Sequence, residues 1–143
     1  MSSLTPIVRF HLEYPFHLTG RRKLKEDIKM LFELEHKSLS SLDYIFCSDD
    51  YLLRINQDYL HHDTLTDIIT FDLSAHADRI AGEIYISIER IIENARLFQV
   101  PRQTELKRVM FHGALHLCGY ADKKPADKIR MTRKEDFYLK RST

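Results

Sequence analysis

The sequence predicts an α+β domain in which a small mixed sheet of about four strands is covered by about five helices. Short runs rich in β-branched and aromatic residues alternate with stretches whose apolar residues recur every three or four positions. Two strand-like runs near the middle of the chain are separated only by a short polar loop, which indicates a hairpin. Three helical stretches then follow in succession, and we expect the middle one to be the central helix.

The first half of the chain contains two predicted strands and two predicted helices. Leu24, Ile28 and Leu31 have the spacing of an amphipathic helix. Ser48 precedes two aspartates, so its hydroxyl suits an N-cap and the carboxylates suit the positive end of a helix dipole. The predicted elements are a strand at 7–12, a helix at 21–36 with Thr19 as its N-cap, a strand at 42–47 and a short helix after Ser48.

The second half begins with the hairpin and ends in three helices. Ser87 is a suitable N-cap, and Pro101 suits the first turn of the helix that follows it. The last helix is strongly charged. The predicted elements are strands at 66–73 and 80–86 and helices from Ile88 to Phe98, from Pro101 to about Gly119 and from Pro125 to about Leu139.

Length and composition indicate one globular domain over residues 1–143. The hydrophobic fraction is 43% and the charged fraction 30%, which is ordinary for such a domain. A net charge of +1 argues against attraction of nucleic acid to the whole surface, so such binding needs a local basic patch. Cys47 and Cys118 lie in apolar runs and are expected to be reduced core thiols. Without a signal peptide or a membrane-length apolar run, we expect a cytoplasmic protein with no membrane partner.

The segment 112–122 carries the strongest functional signal. His112 and His116 are four residues apart on a predicted helix, so both lie on one face at a separation that suits one metal ion. Gly119 is expected to end the helix, and Asp122 follows closely enough to be a third ligand. Three protein ligands leave one position open, which is the arrangement of a catalytic zinc site.

Other interpretations of this segment remain open. Many such histidine pairs are one core residue and one surface residue, and an aspartate in a turn is often a local cap. A zinc protease of the common kind is disfavoured, because Gly113 stands where those helices carry a catalytic glutamate. Glu105 lies on the histidine face two turns earlier, and we expect it to be a surface group or a group outside the ligand set.

Three blocks of sequence resemble one family. Residues 112–120 match the fixed positions of the pattern His-Gly-x-Leu-His-Leu-x-Gly-Tyr. Residues 55–59 with 66–71, and residues 82–87, are similar to two further blocks in the same order. On these blocks the chain resembles the YbeY-type metal-dependent endoribonucleases, which act in bacterial ribosomal RNA maturation.

The resemblance implies a function and a site. The function is a single-strand-specific endoribonuclease in small-subunit rRNA maturation and ribosome quality control, with ribosomal RNA and the small ribosomal subunit as partners. The cofactor is one zinc ion, or another divalent transition metal, held by His112, His116 and Asp122. Asp67 and Thr70 are implied to line the cleft or orient a ligand, and a buried structural role for them is equally open.

The chain departs from the family pattern at two positions. The family has a histidine where this chain has Asp122, and a carboxylate is also an acceptable zinc ligand, although a 2-His-1-carboxylate set also suits iron. The family usually has an arginine at the position of Leu60, where it is thought to assist at the phosphate. His61, His62 or a basic residue elsewhere could replace it, and the sequence does not choose among them.

Basic residues are in excess after the proposed metal site. They could hold RNA phosphates, and an ordinary solvated helix is an equally good interpretation. The basic residues between 122 and 141 are Lys123, Lys124, Lys128, Arg130, Arg133, Lys134, Lys140 and Arg141, against four acidic ones.

Two other functional classes stay open from the sequence alone. One is a metal-dependent hydrolase of a different substrate, such as another phosphodiester or a peptide. The other is a non-catalytic ribosome-associated module whose metal is structural, which Leu60 keeps possible.

Overall fold

The computed structural model describes residues 5–61 and 66–142, which contain four strands and five helices. The strands are β1 (Ile7–Leu12), β2 (Leu39–Cys47), β3 (Ile68–Asp72) and β4 (Ile80–Ser87). The helices are α1 (Arg21–Leu34), α2 (Asp49–Leu60), α3 (Ile88–Phe98), α4 (Arg102–Leu117) and α5 (Pro125–Arg141). This content confirms the predicted α+β class and the predicted order of elements.

The strands form one mixed sheet in the order β1-β2-β4-β3. β1, β2 and β4 run parallel, and β3 pairs antiparallel with β4, from Ile68 opposite Ile86 to Asp72 opposite Gly82. The predicted hairpin is therefore present. Its first strand, β3, is at one edge of the sheet and has no strand on its outer side among the described residues.

Some predicted boundaries in the N-terminal part are wrong, for local backbone reasons. The N-cap of α1 is Gly20, not Thr19, and its φ of 65° is the left-handed conformation that glycine adopts at little cost. The helix ends at Leu34 rather than 36, because His36 has a positive φ of 58°. β2 begins at Leu39 rather than 42, since its first residues already pair with β4.

Two boundaries further along also differ from the prediction. β3 spans Ile68–Asp72 rather than 66–73, because the Thr66 hydroxyl donates to the Ile68 carbonyl and closes a local turn before the strand. Pro101 is the N-cap of α4 with an extended backbone, and not a residue of its first turn.

Apolar side chains pack against both faces of the sheet. On one face, Tyr44 and Ile84 are fully buried in the main core, which α1 and α4 cover. On the other face, a smaller cluster around Cys47 lies beneath Leu52 of α2. Cys47 and Cys118 are both buried and free, which confirms the prediction of reduced core thiols.

α4 is the central helix of the fold, as predicted. It packs against β3 and β4 and also contacts α1, α3 and α5. The Tyr44 hydroxyl donates to the Met110 carbonyl at 2.8 Å inside the core. At Gly113 the helix backbone lies so near the sheet that an added Cβ would be 2.9 Å from side-chain atoms of Ile68 and Ile84. The glycine therefore sets how close α4 lies to β3 and β4.

We predict that Gly113→Val lowers the free energy of unfolding by about 1–3 kcal/mol, the usual cost of overpacking a core. The added atoms would force Ile68 and Ile84 to move, and Ile84 is fully buried. Urea unfolding of the metal-free protein measures the change. Ala126→Val on the exposed first turn of α5 is the control, and it should stay within about 0.5 kcal/mol of wild type. A wild-type stability for Gly113→Val would mean that residue 113 does not set the distance between helix and sheet.

Candidate metal centre

The C-terminus of α4 is closed by two hydrogen bonds that bring the chain back over the helix. The Gly119 N–H donates to the His116 carbonyl at 3.0 Å, and the Tyr120 N–H donates to the Leu115 carbonyl at 3.1 Å. Together they form a Schellman motif, which requires the positive φ of 106° at Gly119. The prediction that Gly119 ends the helix is confirmed, and the turn directs Asp122 toward the histidines.

The three predicted ligands lie together at the end of α4. The Nε2 atoms of His112 and His116 are 3.0 Å apart. Oδ2 of Asp122 lies 3.1 Å from His112 Nε2 and 3.2 Å from His116 Nε2. Ligand atoms around a tetrahedral zinc ion are about 3.3 Å from one another, so this triangle is close to the size that such an ion needs. Among the described residues, these three form a group that could hold a metal ion.

The hydrogen bonds of the two imidazoles determine which nitrogen faces this triangle. Nδ1 of His116 lies 2.8 Å from the Tyr120 carbonyl oxygen, which only accepts, so Nδ1 carries the proton. Nδ1 of His112 lies 2.6 Å from a carboxylate oxygen of Glu135 and carries its proton for the same reason. In the neutral rings both Nε2 atoms therefore present lone pairs to each other and to Asp122. Three electron-rich atoms at these separations repel one another, so either a metal ion or a shared proton would stabilise the arrangement.

Glu135 connects the metal centre to α5. Its side chain is 8% exposed, and it accepts from Arg108 Nη1 at 2.8 Å, while Arg108 Nη2 donates to Asp136 at 2.6 Å. Burial alone lowers the pKa of His112, but the hydrogen bond and charge of Glu135, with the charge of Asp122, outweigh it and raise the pKa. This environment favours a positive charge at the triangle, which either a proton or a metal ion can supply.

Glu35, which directly follows α1, anchors the loop after α4. Its carboxylate accepts from the Tyr120 hydroxyl at 2.6 Å, from the Lys134 ammonium at 3.0 Å and from the Tyr138 hydroxyl. Burial opposes ionisation of Glu35, but these hydrogen bonds outweigh it and lower its pKa. The Tyr120 carbonyl also accepts a hydrogen bond from Nδ1 of His116. Tyr120 therefore links Glu35 to one of the metal ligands.

The metal site opens into a cleft of about 870 Å³. Asp67 and Thr70, the two predicted cleft residues, both line it. Glu105 also lines the cleft and only 4% of its surface is exposed, so of the two expectations for it the surface group is excluded and a group outside the ligand set remains. The helix rise places it two turns from His112, outside the ligand set.

Two carboxyl groups of the cleft ionise less readily than usual. Burial raises the pKa of Asp67, although its own backbone N–H and the charge of His112 oppose the change. Burial and the charge of Asp67 raise the pKa of Glu105, against the opposing charge of Arg108. A carboxyl group with a raised pKa beside a metal site is suited to accepting and releasing a proton.

The cations that line the cleft, within the described ranges, are Arg108 and Lys123. Leu60 lines it too, at the C-terminal end of α2. His61 is the exposed C-cap of that helix, and His62 lies outside the described residues.

Sequence reasoning missed the two carboxylates that hold this centre in place. Glu135 lies on the buried stripe of α5 with Met131 and Tyr138, and a carboxylate on such a stripe is a signal that could have identified it. Glu35 offers no such signal, because its partners are 85 to 103 residues away in the chain.

A family model described as Endoribonuclease YbeY matches residues 17–143 of the chain. The chain belongs to this family. The Endoribonuclease YbeY of Flavobacterium psychrophilum is 51% identical over 134 residues, which cover 94% of this chain and 95% of that protein. That of Cytophaga hutchinsonii is 44% identical over 130 residues, which cover 91% of each chain.

The fold is also found in a solved structure. A solution structure of a Thermotoga maritima protein is similar with a TM-score of 0.65 and 26% identity, covering 95% of this chain and 88% of that one. The resemblance to the YbeY family that three sequence blocks indicated is therefore confirmed. Across the described residues, we find no helix of the length and apolarity that crossing a membrane requires.

We predict that Glu135→Gln weakens zinc binding about 10- to 100-fold, the usual effect of losing a carboxylate behind a ligating histidine. The amide has no charge, and it can present an N–H to Nδ1 of His112, which would disturb the tautomer. Competition with a chromogenic chelator at fixed pH measures the affinity.

The matched control for this prediction is Asp136→Asn on the same helix. Asp136 is exposed and contacts the same Arg108, but it makes no hydrogen bond to His112. The Asp136→Asn variant should bind zinc with an affinity within about twofold of wild type. Equal losses in the two variants would show that the charge of α5 matters, and not the contact between Glu135 and His112.

Proposed function

We propose that this chain is a single-strand-specific, metal-dependent endoribonuclease that acts in small-subunit rRNA maturation and ribosome quality control. The whole of 1–143 forms one metalloendoribonuclease domain in this proposal. The observation that carries it is the convergence of two imidazole lone pairs and one carboxylate oxygen at the edge of an open cleft. Membership of the Endoribonuclease YbeY family supports RNA as the substrate.

We assign the metal to zinc, held by His112, His116 and Asp122. Two neutral nitrogens and one carboxylate are an ordinary donor set for zinc, and three protein ligands leave a position open for substrate. When bound, a divalent ion there supplies Lewis acidity toward a phosphate oxygen or a water molecule. Glu135 and the Tyr120 carbonyl hold the Nδ1 protons of the two rings, so in the neutral rings both Nε2 atoms are available as ligands.

We assign Asp67 to accept the proton of the attacking nucleophile at a carboxylate oxygen. Support comes from its place on the cleft wall, close enough to His112 to interact with its charge, and from the burial that raises its pKa and makes it a stronger base. We assign Thr70 to orient substrate; support comes from its position in the cleft lining, two residues after Ile68 on β3.

Ribosomal RNA and the small ribosomal subunit are the partners in this proposal, and the location is the cytoplasm. The names of the relatives support an RNA-cleaving enzyme, and the ribosomal partner follows from the family resemblance.

We predict that the protein, purified without added metal, contains close to one zinc ion per chain. His116→Ala should lose the metal and all cleavage of a labelled single-stranded RNA, and Asp122→Ala should retain less metal. Elemental analysis and gel-based cleavage assays measure the two properties. His17→Ala, an exposed histidine outside the cleft, is the control and should match wild type in both.

The outcomes separate the proposal from its alternatives. No bound metal in wild type after zinc is supplied would exclude a metalloenzyme. Metal that is bound without RNA cleavage, together with unfolding of His116→Ala, would favour a structural metal. The melting temperatures must be compared in metal-free samples, because bound metal itself stabilises the folded state.

We also predict that Asp67→Asn lowers kcat by about 10²- to 10⁴-fold, the usual contribution of a general base. Its zinc content should be unchanged, since Asp67 is not among the three ligands. Asp72→Asn is the control, and its kcat should stay close to that of wild type. Asp72 lines the same cleft, but its carboxylate accepts a hydrogen bond from the Ser74 N–H at 3.0 Å. An unchanged pH–rate profile in Asp67→Asn would remove Asp67 from proton transfer.

A further inference from the structure

We propose that Arg108 and Lys123 bind the RNA phosphates next to the scissile one, and that they fix the path of the strand through the cleft. The inference rests on the proposed endoribonuclease function. It selects Lys123 from the basic residues that follow the metal site in the sequence and adds Arg108 of α4, instead of assigning RNA contact to the exposed basic surface of α5.

The charge of the cleft is the first reason. Among the described residues that line it, five are carboxylates and only two are permanent cations. A phosphate entering a predominantly acidic cleft is repelled except near a metal ion or one of those two cations. The lining carboxylates are Asp67, Asp72, Glu105, Asp122 and Glu135.

The second reason is the position of the two cations relative to the ligands. Arg108 precedes His112 by four residues on α4, so the two lie on the same face about 6 Å apart along the helix axis. Lys123 directly follows Asp122 on the loop beyond the C-terminus of that helix. The two cations therefore line the cleft from different elements, one before and one after the ligands in the chain, so that each can contact a different phosphate of one strand.

The third reason is that Arg108 is held ready for a ligand. Its Nη1 and Nη2 atoms are fixed by Glu135 and Asp136, while the side chain remains 32% exposed. A guanidinium has five N–H donors, so donors are left over for a phosphate after these two contacts. Ordering the guanidinium in advance lowers the entropy that binding would cost.

Lys123 is available in a different way. Its side chain is exposed, and its ammonium forms no salt bridge with any described residue. Lys134, by contrast, is paired with Glu35, and Arg141 lies over the ring of Phe137. Part of the basic excess of α5 is therefore engaged in contacts within the chain, and unlike Arg108 these two residues do not line the cleft.

Salt dependence of binding tests the assignment directly. The probe is a fluorescent single-stranded 2′-O-methyl oligonucleotide, which resists cleavage, bound to zinc-loaded protein and followed by anisotropy at several salt concentrations. Each phosphate contact to a single strand contributes about 0.7 to the slope of log K against log salt. Arg108→Gln and Lys123→Gln should each lower the slope by about that amount and weaken binding roughly tenfold at moderate salt.

Two matched controls come from α5. Lys128→Gln and Arg130→Gln remove the same charge from exposed positions that do not line the cleft, and their slopes should equal that of wild type. Equal losses of slope in the controls would overturn the proposal in favour of a diffuse basic surface. Wild-type slopes in Arg108→Gln and Lys123→Gln would overturn it as well.

A purely structural role for Arg108 is separated by its zinc affinity. Arg108 contacts Glu135, which contacts His112, so a structural role would weaken zinc binding and leave the salt slope unchanged. The proposal instead predicts that Arg108→Gln lowers the salt slope and leaves zinc affinity unchanged. If the slopes behave as expected but wild type cleaves no RNA, the phosphate contacts stand and the proposed reaction fails, so the two failures are distinguishable.

Discussion

The close approach of α4 to the sheet at Gly113 determines most of what the molecule can do. Because an added Cβ would be 2.9 Å from Ile68 and Ile84, the helix lies nearer to β3 and β4 than a larger residue would permit. The neighbouring histidine face of the helix is then carried to the open side of β3, the edge strand. A helix further from the sheet would increase the distance between His112 and Asp67 and widen the cleft that both residues line.

The metal centre needs the whole fold and not only its own segment. His112 is held from α5 by Glu135, and His116 is held by the Tyr120 carbonyl, whose residue is anchored to Glu35 beside α1. Elements from both ends of the chain must therefore dock before the two Nε2 atoms can point at one ion. Metal binding is in consequence linked to folding, and the ion stabilises the folded state by mass action.

The division between what the sequence predicted and what it missed follows from the range of each interaction. The pairing of His112 with His116 and the turn at Gly119 depend on helix geometry and capping, which act within a few residues and can be recognised in the sequence. The partner of His112 is 23 residues away and that of Tyr120 is 85, so both depend on how helices pack. Burial of Glu105 was missed for the same reason.

The charge of the cleft explains why so few residues can decide its behaviour. Five carboxylates and two cations line it within the described chain, so the metal-free cleft carries an excess of negative charge at the place where a phosphate has to enter. A divalent ion at the triangle removes most of that excess. We therefore expect metal and RNA to bind with positive coupling, in which case RNA strengthens metal binding by the same factor. An acidic cleft makes the proposed nuclease dependent on its metal for substrate binding as well as for chemistry.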